Sequence, residues 1–438
     1  MKKIILLSLV VSLIGIFCIS ALTADNSITF WYENLEARYV KVLQDVLLQP
    51  FEEEYGIKVE FTSYPDLDRV LRIAILGGKG PDIVMTPGPS FAQEYAFAEK
   101  LEPLDGYADQ YGWKKMIIPF MYAMGEVDGT LYSIPKTYEA MLLLYNTTLF
   151  DKYGWKPPKT IEEMETLAEE MMEKDIVPFA SGNADWKPAV EWLFTVVANH
   201  IAGPEKVYQA LKGEIPWTSP CFVESVNATK KWFQKKWLAG GKYFSMTGDD
   251  TYAMLTSGEA GMMIVGSWSF QYILGDYSVE QGGQECNWTP FPSAKGVDYP
   301  LYDIGIGTTL SINAESKNKD AVAKFFNFII SDPKRVALII SSWPDWNIPI
   351  SALKLTDFPS TTDSKYVNFL SSISEALARG NYAYTTWTFW PVKSDQWIIN
   401  NIDKVWLDKM TTEDFLDNLQ KIFVQELEDG KVPYLPER

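Results

Sequence analysis

The chain has 438 residues, 47% of them hydrophobic, and a formal net charge of −18. That length exceeds one ordinary core, so two lobes are expected; the acidic balance repels phosphate backbones and anionic lipid, which argues against a nucleic-acid partner. A single histidine, His200 in an apolar helical context, gives neither a His-rich zinc site nor a His-based triad a footing; without a Walker loop, dinucleotide fingerprint or zinc spacing, no cofactor or metal is expected.

Lys2 and Lys3 precede an apolar run from Ile4 to Ile19 and small residues through Ala24, the pattern of a secretory leader over residues 1–24. The run is shorter than the ~20 apolar residues a membrane span needs. Cys18 raises a lipid-anchored variant, but Phe17 stands where a small residue is needed. Export leaves Cys221 and Cys286 as a candidate disulfide pair.

Ser27–Tyr32 (SITFWY) reads as a first strand, and Glu33 and Asn34 follow at its carboxyl end, where open α/β sheets bind ligands. A helix spans Leu35–Leu48, Pro50 restarts a short helix, and Gly56 ends it. Ile57–Thr62 alternates as a second strand, Asp66 caps a helix with Leu67, Val70, Leu71, Ala74 and Ile75 on one face, and Asp82–Thr86 is a third strand. This β-α-β-α-β order predicts a parallel sheet with helices on both faces.

Asp128-Gly129 is a tight turn. Leu131–Ile134 reads as a strand end, Pro135 interrupts, and Met141–Tyr145 is a buried strand, so this stretch is expected to cross between lobes. Thr160 and Glu163 form a capping box. Trp186 lies in the polar loop Ser181–Lys187, and Val223–Trp237 is helical. Ala260–Val265 is a buried strand ending in Gly266-Ser267-Trp268, where a glycine lets a ligand approach the backbone. Trp288–Pro292 and Ser331-Asp332-Pro333 are expected as second and third crossings, on either side of the strand Ile304–Ile312 and the helix Asp320–Ile330. The tail is mainly helical, with an aromatic turn at Tyr382–Trp390. The expected lobes are 25–137 with 290–332, and 138–289 with 333–438, hinged by three crossings around a cleft.

The aromatic share is 14%, including 16 Trp and 23 Tyr. An indole packs its flat face on the C–H faces of a sugar and donates from its N–H, while a carboxylate accepts from hydroxyls. Any one Trp is more often core than ligand contact; the collective excess favours an aromatic-lined site.

The segments ITFWY, GIKVEF, GGKGPDIVM, DGTLYSIP followed by LLLYNTTLFDKYGWKPPKTIEEM, LTSGEAGMMIVGSW and TLSINAES occur in this order across nearly the whole mature chain. In them the chain resembles the extracellular solute-binding proteins of ABC transporters, in the maltose-binding-protein-like sugar-binding group. The resemblance implies a periplasmic-binding-protein-like α/β fold of two hinged lobes, export to the periplasm or cell surface, a carbohydrate ligand and a membrane permease as partner; a monomer is expected. It points to Glu33, Glu139, Trp268 and Thr308 as ligand contacts, with the tract of Trp387 and Trp390 as stacking aromatics and Trp186 on the second lobe's side. Thr86 stands where some relatives carry Trp. Asn34, Asp66 and Trp346, the last in a stretch without a clear counterpart, complete the candidate set. Two alternatives stay open: a receptor for a polyamine or other cationic solute, which acidic and aromatic residues also suit, and a secreted glycoside hydrolase working through paired carboxylates.

Overall fold

The computed structural model describes residues 26–33, 35 and 37–437; the leader, Cys18 and Asn34 lie outside the described residues. The opening follows the expected order. Strands β1 (Ser27–Glu33), β2 (Lys58–Tyr64) and β3 (Ile83–Thr86) are parallel, with β1 in the middle. Alternation in β1 buries Ile28, Phe30 and Tyr32 on one face. Asp82, before β3, accepts from the Thr29 amide and hydroxyl at 2.8 Å each, tying two strand starts together. The first helix is a rod in three pieces, Ala37–Leu43, a π turn at Gln44–Leu48 and Gln49–Tyr55, with Pro50 in the first turn of the last and Gly56 left-handed at φ 64°.

Asp128 and Gly129 both take positive φ in the tight hairpin that joins Glu126–Val127 to Thr130–Leu131. The stretch after it differs from expectation. β4 (Ile134–Asn146) is one continuous strand of 13 residues, not two strands broken at Pro135. The remaining strands are β5 (Val177–Phe179), β6 (Ala260–Gly266), β7 (Cys286–Thr289), β8 (Tyr302–Ile312) and β9 (Tyr382–Tyr384). The sheet order is β2-β1-β3-β8-β4-β6-β5, with β7 also on β4 and β9 on β8. β4 pairs with β8 through Ala140 and with β6 and β7 from Met141 onward. β8 pairs with β9 at its start and with β3 at its end. These two long strands are therefore the passages between the halves of the molecule. Pro135 is tolerated because the β8 register slips between Ile306 and Thr308, and again before Thr309, the partner of Pro135; a bulge leaves no ladder donor to lose.

The other two expected crossings shift. Trp288 lies in β7, inside the second half, and the return passage is β8. At Pro333 no crossing occurs. Asp332 caps the helix Pro333–Ser342, which packs on the helix Lys319–Ser331 and on the rod after β1. Ile350 still bridges Ile117, and the Ser351 amide donates to the Met116 carbonyl, so the chain stays with the first half beyond the expected boundary at 332/333.

The capping box of Thr160 and Glu163 forms as expected. Cys221 and Cys286 are free thiols and no disulfide joins them. His200 is buried between Asp303 and Ser293, 3.1 Å from each. Among the described residues no helix is long and apolar enough to cross a membrane, and no cluster of His, Cys, Asp and Glu could hold a metal ion.

Candidate functional site

A cleft of about 470 Å³ lies where β4 and β8 pass between the halves. Its floor is Thr137, Glu139, Gly307 and Thr308. Glu139 sits in mid-β4 opposite Gly305 of β8, and Gly307 occupies the bulge two residues further along β8. A Cβ at Gly307 would collide with both carboxyl oxygens and the carboxyl carbon of Glu139, so the glycine makes room for that group.

The first half supplies Tyr32 and Glu33 from the end of β1, Tyr39 from the following helix, Asp68 from the helix after β2, and Trp343 and Asp345. Opposite them stands a run of indoles. Trp186 meets Trp192 at 5.6 Å between ring centroids, Trp192 meets Trp268 at 5.0 Å, and Trp268 meets Trp387 edge-on at 6.0 Å. Trp268 follows β6 in a short 3-10 turn, and its ring folds back over Gly266, where any side chain would overlap it. Trp387 lies in the short helix Thr386–Phe389 after β9. Trp186 keeps 43% of its surface exposed and marks the outer end of the run. The walls touch on one side of the cleft: Arg38 pairs with Asp276 at 2.7 Å, the Tyr39 hydroxyl donates to the Gln271 carbonyl, and the Trp343 indole donates to the Gln271 amide at 2.8 Å.

Among the described residues, six lining side chains are carboxyls, Glu33, Asp68, Glu139, Asp185, Glu191 and Asp345, and none is Lys, Arg or His. Burial pushes Glu139 up to about 8, with the Asp345 charge adding to it and Lys136 and Trp387 opposing. Burial likewise raises Glu33 to about 7, helped by Asp68 and Asp345, and Asp68 to about 6, helped by Asp66. Glu191 is buried, accepts from the Thr386 hydroxyl, and is held well above the usual carboxylate range by burial and by Asp395. Asp345 is the one of the six with an ion-pair partner among the described residues. The Lys136 ammonium, fully buried just behind the floor, donates to it and to the Tyr32 hydroxyl at 2.8 Å each. The rings of Tyr32, Trp343 and Trp346 surround that ammonium at 5.1 to 5.5 Å.

Glu33, Glu139, Trp186, Trp268, Thr308 and Trp387 thus come together on the cleft. Four other candidates do not line it. Asp66 caps its helix and grips Arg69 at 2.7 Å in the open. Thr86 is buried and shares a hydrogen bond with the Thr309 hydroxyl at 2.6 Å, bridging β3 and β8. Trp346 is buried and donates to the Tyr32 hydroxyl at 2.8 Å. Trp390 is buried against Trp217 and Phe194. Asn34 is outside the described residues. Sequence reasoning missed Trp192, Asp68, Asp345 and the Lys136 anchor. Trp192 had a faint signal, a second Trp at the start of a helix directly after the polar loop of Trp186. Asp345 had none, because only the fold brings it to Lys136.

The family of bacterial extracellular solute-binding proteins matches residues 33–335 of the chain. An uncharacterised ABC transporter extracellular-binding protein of Pyrococcus horikoshii is 25% identical over 296 residues, 65% of this chain and 64% of that relative's own length. The maltotriose-binding protein of Pyrococcus abyssi is 24% identical over 359 residues, 80% of this chain and 72% of the relative. A solved chitin oligosaccharide binding protein superposes with a TM-score of 0.76 at 22% identity, covering 91% of this chain and 98% of that one, a likeness of fold.

Proposed function

Because the chain belongs to the bacterial extracellular solute-binding proteins, we propose that it captures a sugar of more than one ring in the cleft between its halves and presents it to an ABC transporter permease. The observation that carries this reading is the run of Trp186, Trp192, Trp268 and Trp387 along one wall, facing carboxyls on the other wall and the floor. Flat apolar faces match the C–H faces of sugar rings, and carboxyls accept from their hydroxyls. Several indoles in sequence suit an oligosaccharide better than a single ring. The volume falls in the range of small-ligand sites.

The mechanism follows from the two shared strands. Residues 26 to about 133, with the segments through Ser351, form one lobe, and most of the remainder forms the other. Bending at β4 and β8 opens the cleft, a ligand touching both walls favours the closed form, and the closed form is what the permease reads. Micromolar capture needs about −8 kcal/mol, within reach of a few stacked faces and charge-assisted hydrogen bonds. The leader at residues 1–24 and the family fit an exported protein that works as a monomer by binding without turnover. A calorimetric panel of mono- and oligosaccharides tests this reading. At least one oligosaccharide is expected to bind at micromolar or tighter affinity and be recovered intact. No heat from any saccharide, or release of reducing ends, would overturn it.

A further inference from the structure

Accepting the sugar reading of the cleft, we propose that the preferred ligand is a cationic saccharide, one bearing a free protonated amino group in place of a ring hydroxyl. Among the described residues the lining holds six carboxyls and no cationic side chain. Three of them already have partners: Asp345 pairs with Lys136, Asp185 accepts from the Gly248 amide, and Glu191 accepts from Thr386. Glu33, Asp68 and Glu139 have no Lys or Arg within ion-pair distance among the described residues, although Glu139 is almost fully buried.

Beside a neutral sugar, Glu139 and Glu33, raised to about 8 and about 7, stay largely protonated near neutral pH. Hydroxyls donate to carboxylates, but they carry no charge to favour ionisation of three carboxyls that burial and neighbouring carboxylates oppose and that Lys136 and Arg72 only partly offset. An ammonium supplies the missing charge and up to three donors. A second observation bears on the same spot. The Trp387 indole N–H, on a side chain 94% buried, has no hydrogen bond of regular geometry and is directed at the Glu139 carboxyl, whose ionised form it favours. An ammonium reaching Glu139 from the cleft would pair with a carboxyl whose ionised form Trp387 already favours, while Trp268 or Trp192 takes a face of the ring that carries it. The aromatic wall separates this ligand from a flexible aliphatic polyamine, which has no ring face to stack.

Calorimetry with the full mature chain decides it. The probes are β-1,4-linked glucosamine di- and trisaccharides, their N-acetylated counterparts, glucose oligosaccharides of the same length, and spermidine. The amino saccharide is expected to bind roughly tenfold or more tighter than its N-acetylated form, as a charge-assisted contact in place of a neutral one requires. That preference is expected to shrink as salt is raised and to fall toward unity in Asp68→Asn and Glu33→Gln. Equal or tighter binding of the neutral saccharides, or a salt-independent preference, would overturn the charge inference and leave the sugar reading standing. Binding of spermidine with no saccharide bound would overturn both.

Discussion

Lys136 and Glu139 stand three residues apart on one strand, both buried and both titratable, and their surroundings are opposite. Burial lowers Lys136, but Asp345, the Tyr32 hydroxyl and three aromatic rings meet its charge. Glu139 faces an open cleft beside Gly307 and Trp387, with no cation of its own, and is pushed up to about 8. The tryptophans divide the same way. Trp346 is committed to the Lys136 corner through its bond to Tyr32, whereas Trp268 and Trp387 keep their faces to the cleft. The buried lysine has its partners in place within the first half, whereas the carboxyl three residues on lines the cleft without an ion-pair partner among the described residues. Composition cannot tell these apart.

The largest effect expected from separating the corners is at Lys136. Lys136→Met leaves Asp345 without its cation and removes the cage's charge. Unfolding by denaturant should show a loss of about 3 kcal/mol, the low end for breaking a buried pair because Asp345 keeps some solvent contact. Unchanged stability would dissolve the contrast. Trp268→Ala should do the reverse. It should weaken saccharide binding by about 2 kcal/mol, roughly thirtyfold, and barely move the melting temperature; a titration retaining wild-type affinity would remove this indole from the site. Gly307→Ala is the finer probe. Its methyl displaces the Glu139 carboxyl, a movable side-chain end, so the fold should persist while affinity drops by about 1–2 kcal/mol. A collapse of the fold instead would mean that Gly307 serves the bulge and not the carboxyl.

The smallest effect is a pH signature without ligand. Glu139 titrates higher folded than unfolded, so the unfolded chain ionises first as pH rises. This carboxyl therefore contributes a loss of stability between the ordinary Glu range and about pH 8, and nothing below that range. Glu139→Gln should melt a few degrees above wild type at pH 8 and close to it at pH 4. Parallel melting curves for the two proteins would show that Glu139 carries no such strain.

Local signals in the sequence were sufficient where the cause was local. The alternation of Ile28, Phe30 and Tyr32, the left-handed glycine at 56, the Asp128-Gly129 turn and the box of Thr160 with Glu163 appear where pattern and capping chemistry place them. Gly266 was expected to let a ligand near the backbone, but the Trp268 ring folds over it and takes that space. Pro135 misled because its cost depends on the partner strand, and the slip in β8 that absorbs it lies about 170 residues away.

The sequence by itself determined the parallel α/β opening, the family, and a composition able to bind sugar rings, since these follow from periodicity, turn chemistry and residue type. Only the tertiary structure decided which of many tryptophans and carboxyls face the cleft. Trp346 and Trp390 are as aromatic as Trp268 and Trp387, and Asp66 is as acidic as Asp68. What separates them is the partner each meets across the fold, such as Tyr32 for Trp346, Trp217 for Trp390 and Arg69 for Asp66. Burial and pairing belong to contacts between distant segments, and no single segment carries that information.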